Sequence, residues 1–137
     1  MRRAVAVAGL AAGVAGGAAG GALADQPIAV PSGQVVTLQD VIWGPGPEGL
    51  VARFRFLAPA IARDGGTVDF ETAAADMEYL CNTYAIPRVE TVTGPRPEQI
   101  IVTLADRAVP FGSAAPEATQ FIDTFHLTDG RCIWEPL

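Results

Sequence analysis

The chain has 137 residues, half of them hydrophobic, with nine basic and 15 acidic side chains and a formal charge of −6. That length accommodates one small domain and excludes two. Every basic residue is arginine, and the net negative field repels phosphate polymers, which argues against nucleic acid as a partner.

Residues 1–24 read as a secretory signal peptide: Arg2-Arg3, an Ala/Gly/Val-rich run from Ala4 to Gly21, and the small-x-small site Ala22-Leu23-Ala24 directly before Asp25. Six glycines and few large apolar side chains give this run little transfer free energy. Cleavage is therefore favoured over a retained anchor, and no stable membrane span is expected after it. The flanks of Arg2-Arg3 lack the fuller twin-arginine pattern, so ordinary unfolded export is expected, to a periplasmic or secreted location. Two of the nine arginines leave with residues 1–24, so the mature chain from Asp25 to Leu137 sets seven arginines against 15 acids, a charge of −8.

The mature part, residues 25–137, is expected to be a single small α+β domain. Pro27, Pro31 and Gly33 mark an extended lead-in. From Gln34 to Trp43, Val36, Leu38 and Ile42 alternate with polar or mixed positions at the strand period of two. Gly44-Pro45-Gly46-Pro47-Glu48-Gly49 breaks that pattern, and Leu50 to Leu57 resumes it, with Leu50, Ala52, Phe54 and Phe56 on one face and Val51, Arg53, Arg55 and Leu57 on the other. An amphipathic antiparallel hairpin is predicted.

Asp69 is placed to cap a helix from Phe70 to about residue 85, with Ala73, Met77, Leu80, Cys81 and Tyr84 as its apolar stripe and Pro87 as its stop. Val89–Thr93 and Gln99–Ala105 are the next strand candidates. Pro110-Phe111-Gly112 and Pro116 mark a loop, and Pro116–Thr124 reads as a short turn feeding a strand. Asp129-Gly130 is a two-residue hairpin signal that sets Thr128 opposite Arg131, Leu127 opposite Cys132, Phe125 opposite Trp134 and Thr124 opposite Glu135. Phe125, Leu127, Cys132 and Trp134 then share an apolar face. The expected architecture is a small antiparallel sheet of hairpins packed against one main helix at residues 70–85.

Cys81 and Cys132 are the only cysteines. An even pair in an exported chain is most simply a disulfide, and two independent periodicities turn both thiols toward the core. Closing a loop of about 50 residues stabilises a small domain by roughly 4 kcal/mol. The absence of CxxC spacing and the single histidine weigh against a redox-active or metal-binding pair, so neither metal nor cofactor is expected.

His126 lies on the face opposite the core, with Thr124, Thr128 and Ile133. A catalytic role requires a nucleophile and an orienting acid, such as Thr124 with Asp123 or Glu135, and no nucleophile motif surrounds them. Asp69, Glu71, Asp76 and Glu78 cluster around the helix, which is read as solvated. Glu71 and Glu78 share a face but lie about 10 Å apart along the axis, too far for a retaining glycosidase pair. Residues 25–137 contain no phosphate-binding loop, dinucleotide fingerprint, HExxH or GxSxG. A binding role has more to draw on. Arg53 and Arg55 share the outward face of a strand and have the geometry to grip a carboxylate or phosphate, while Trp43 and Phe111 flank Gly/Pro-rich loops where an aromatic side chain can anchor a partner. Arg88, Arg96 and Arg107 stand near later turns.

The segments Asp76-Met77-Glu78-Tyr79-Leu80-Cys81, Pro110-Phe111-Gly112, Pro116-Glu117-Ala118-Thr119-Gln120-Phe121 and Asp129-Gly130-Arg131-Cys132-Ile133-Trp134-Glu135 resemble a family of short exported bacterial proteins of unknown function. The resemblance covers most of the mature chain, and its Cys-Ile-Trp-Glu ending is the most specific element. It implies no activity. An acetolactate synthase label attached to some members describes chemistry that needs a large thiamine-diphosphate enzyme with a metal site, which a mature chain this short does not house. The expectation is a non-catalytic binding or accessory module acting on another envelope protein through His126, Arg53, Arg55, Trp43 and Phe111. The alternative is a small inhibitor of an envelope hydrolase that presents residues 44–49 or 106–116, and a small enzyme using His126 is the remaining reading.

Overall fold

The computed structural model describes residues 26–136; the expected signal segment, including Ala22, Ala24 and Asp25, lies outside them. Strands β1 (Thr37–Pro45), β2 (Leu50–Leu57), β3 (Gln99–Ala105), β4 (Gln120–Thr128) and β5 (Arg131–Glu135) form one sheet in sequence order. The expected hairpin is present: β1 and β2 pair antiparallel across the Gly/Pro break, from Thr37↔Leu57 to Pro45↔Leu50.

The sheet is not built wholly of hairpins. β2 and β3 run parallel, Val51 opposite Gln99 through Leu57 opposite Ala105. Parallel neighbours need a long crossover, and the helical segment supplies it. Helix α1 (Phe70–Leu80), a π-helical segment (Cys81–Ala85) and α2 (Ile86–Val89) stack end to end without a break. Asp69 caps α1 by accepting the Thr72 backbone N–H at 2.9 Å, and this bond holds its carboxyl below the usual range.

Pro87 does not stop the helix where the sequence predicts. The Ile86 N–H reaches back five residues to the Cys81 carbonyl, and this widened turn lies just ahead of the proline ring. A widened turn relieves the clash that a proline ring makes with the carbonyl four residues earlier. The expected strand at Val89–Thr93 is accordingly absent. Val89 closes the buried helical stripe at 3% exposure, Thr91–Thr93 are exposed, and β3 already has partners on both edges.

The helical stripe of Ala73, Met77, Leu80 and Cys81 is fully buried against Phe54, Phe56, Ile100, Val102, Leu104 and Phe125. Tyr84 packs edge-on to Phe56 at 5.6 Å and Phe54 at 6.3 Å. β4 and β5 pair in the predicted register. Asp129 (φ 53°) and Gly130 (φ 73°) both take the left-handed conformation that a type I′ turn requires.

The disulfide joins Cys81 on the helix to Cys132 on the edge strand, with Cα atoms 6.1 Å apart, and fastens the two layers together. Trp134 shares the face of Phe125 and Cys132 as expected, but it is 56% exposed rather than packed in the core. Beside it the helix places the small Ala74 and Ala75, flanked by Phe70 and Glu78. A groove of about 410 Å³ is left open between Phe70, Glu78, Phe125 and Trp134.

Asp76 also departs from the sequence reading. Its carboxyl is fully buried and accepts the Ser32 backbone N–H (3.0 Å), the Ser32 hydroxyl (2.5 Å) and the Gln34 amide (2.8 Å). The extended lead-in is thereby tied to α1, and Val30 and Val36 enter the core beside it.

Candidate functional site

One face of the sheet carries the helix. Among the described residues the other is covered only in part by the loop between β3 and β4, and it gathers Arg53, Arg55 and His126, the polar residues expected to form a binding surface. Strand alternation places Arg53 and Arg55 of β2, Ile101 and Thr103 of β3, and Gln120, Ile122, Thr124 and His126 of β4 on this open side.

Arg53 and Arg55 play different parts. Arg55 is 7% exposed; its Nη1 contacts both Asp40 oxygens, at 2.9 and 3.2 Å, and its Nη2 donates to the Val109 carbonyl. Its hydrogen-bonding capacity is largely spent on Asp40 of β1 and on the Val109 carbonyl of the β3–β4 loop. Arg53 is half-buried and makes no salt bridge among the described residues. Phe111, at the loop's bend, lies with its ring centroid 5.6 Å from the Arg53 guanidinium and 5.5 Å from that of Arg55. Both arginines and Phe111 wall a cavity of about 280 Å³, with Ile101 and Ile122 on its apolar floor and Thr103, Ser113 and Gln120 adding hydrogen-bonding groups. A half-free guanidinium above an apolar floor suits a small anion on a hydrophobic stem.

Trp43 does not join this site. It pairs with Ala52 on the helix side of the sheet and packs against the core. Arg88 stacks on Tyr84 at 3.4 Å, Arg96 pairs with Glu90 at 3.6 Å, and Arg107 pairs with Asp106 at 3.1 Å. The Arg107 hydrogen bond holds the Asp106 carboxyl below the usual range, with the Thr119 backbone N–H adding to the effect against burial. The chain belongs to DUF6497, a family of unknown function. The family model matches residues 8–137. No curated protein and no solved structure matches the chain.

Farther along the open face of this DUF6497 member, His126 Nε2 lies 2.7 Å from Glu48 Oε1 and 3.5 Å from Glu135 Oε2. Glu48 comes from the β1–β2 turn. Gly49 has φ 144° there, and a side chain on Gly46 would collide with Val51, so the turn depends on both glycines. The Gln99 amide donates to Glu135 Oε1 at 2.9 Å. Of the groups named for a catalytic reading, Thr124 and Glu135 share the face of His126. Asp123 points to the helix side, where Trp134 Nε1 donates to it at 3.3 Å and burial raises its carboxyl above the usual range.

The clustering of Glu48 with His126 was missed from sequence. The residues stand 78 positions apart, and only the sheet order brings the β1–β2 turn over β4. Among the described residues no helix is long and apolar enough to cross a membrane.

Proposed function

We propose that the protein is an exported, disulfide-stapled, non-catalytic binding module that recognises an acidic group on another envelope protein through the open face of its sheet. The observation that carries this reading is Arg53: a guanidinium without a carboxylate partner among the described residues, at the wall of a cavity with an apolar floor. The signal-like residues 1–24 and the single disulfide support an oxidising destination. The mature chain's net charge of −8 repels acidic partners at long range. Recognition by Arg53 is therefore a short-range event, strengthened where the cavity excludes water.

The loops an inhibitor would project, residues 44–49 and 106–116, are both drawn back onto the sheet, Glu48 against His126 and Phe111 against the two arginines. That favours a surface that receives a partner over a loop that plugs a cleft. Site-directed photocrosslinking tests the proposal in the periplasm of the native bacterium, with the probe at Ser113 on the cavity rim and a control probe at Thr83 on the helix. The expected result is a discrete adduct from Ser113 that disappears with Arg53→Ala, on a protein whose intact mass begins at Asp25. An adduct formed equally from Thr83, or one indifferent to Arg53→Ala, contradicts it.

A further inference from the structure

We propose that Glu48, His126 and Glu135 form a binding site for a first-row divalent transition-metal cation, with zinc as the probe. The three side chains come from separate elements, the β1–β2 turn, β4 and β5, and their donor atoms all lie within 4.8 Å of one another. One imidazole nitrogen with two carboxylate oxygens is a donor set suited to zinc and its neighbours. With metal–ligand bonds of about 2.0–2.1 Å, tetrahedral donors stand roughly 3.4 Å apart. The 3.5 Å between His126 Nε2 and Glu135 Oε2 already meets that spacing. Glu48 Oε1, at 2.7 Å, has to withdraw by roughly 0.7 Å. Its exposed side chain on a turn gives it the freedom to do so.

Gln99 strengthens the assignment. Buried at 8% exposure, it holds Glu135 Oε1 and leaves Oε2 turned to the imidazole, which is how an outer-shell partner orients a ligating carboxylate. The cation takes the place of the direct 2.7 Å contact between His126 Nε2 and Glu48 Oε1. Three protein ligands leave at least one coordination position toward solvent, the arrangement of an exchangeable rather than a closed structural site. The site draws on the β1–β2 turn, β4 and β5 and shares no residue with the cavity at Arg53, and it stands independently of the reading proposed for that residue.

Isothermal titration calorimetry of zinc chloride into the disulfide-intact protein, paired with the 15N NMR signals of its single imidazole, tests the site. The expected result is one saturable site that shifts the His126 ring signals. Glu48→Gln and Glu135→Gln should each weaken it at least tenfold, and Gln99→Ala about tenfold. Both glutamates are at the surface, and far-UV circular dichroism checks that the variants fold. No saturable binding, or binding that both glutamate variants leave unchanged and that therefore reports the histidine alone, overturns the proposal.

Discussion

Replacing Asp76 by alanine should loosen the N-terminal lead-in from the helix at a large cost in stability. The substitution removes a buried carboxyl that accepts three hydrogen bonds, from the Ser32 N–H and hydroxyl and from the Gln34 amide. Hydrogen bonds to a charged group contribute about 1.5–3 kcal/mol each. Ser32 is exposed and Gln34 half-buried, so water restores part of the loss, and a net destabilisation of about 3 kcal/mol is expected. For a domain of this size that lowers Tm by about 15 °C. Asp76→Asn should cost far less, about 1 kcal/mol. Its Oδ1 still accepts the Ser32 N–H, and a flip of the Gln34 amide offers the new NH2 an acceptor while giving Gln34 Oε1, otherwise unpartnered, a donor. Urea denaturation with the disulfide intact measures both, and amide exchange at Ile28, which donates to Val36 at 2.7 Å, reports the lead-in locally. A loss below about 1 kcal/mol for Asp76→Ala, or equal losses for both variants, refutes this reasoning.

Two further outcomes follow from the same structure. Reducing the Cys81–Cys132 bond frees a loop spanning 51 positions and should lower stability by about 4 kcal/mol; urea midpoints with and without reductant read this directly, and an unchanged midpoint contradicts the staple. Asp123 has a folded pKa raised by burial, so the stability linked to its protonation is complete below its unfolded value and is lost as pH rises through the folded one. Asp123→Asn should therefore raise the thermal midpoint at pH 7 and leave it unchanged at pH 3, whereas an equal shift at both pH values would rule out ionisation as the cause.

Where local chemistry decides the structure, the sequence was readable. The Asp129-Gly130 turn fixed the register of β4 and β5, the period-two pattern located β2, and the helical stripe pointed Cys81 at Cys132. Long-range geometry was not readable. Pro87 looks like a stop until the π-helical turn before it is seen, and the parallel pairing of β2 with β3 depends on a crossover that no short motif specifies. Asp76 falls among acids that face water, yet the lead-in folds over it. The candidate site was half legible. Alternation put Arg53 and Arg55 on one face, but only the return of the β3–β4 loop shows that Phe111 covers both and that Asp40 and Val109 occupy Arg55 alone.

The most direct test of an Arg53-centred recognition surface is the NMR signal of the Arg53 side-chain Nε–H during titration with short acidic peptides carrying an apolar residue beside the carboxylate. Saturable movement of that signal, with the Phe111 and Ile122 resonances moving alongside it and all three responses lost in Arg53→Ala, is what this account predicts. An Arg53 signal that stays still while the peptides bind elsewhere, or that no acidic peptide moves, would contradict it.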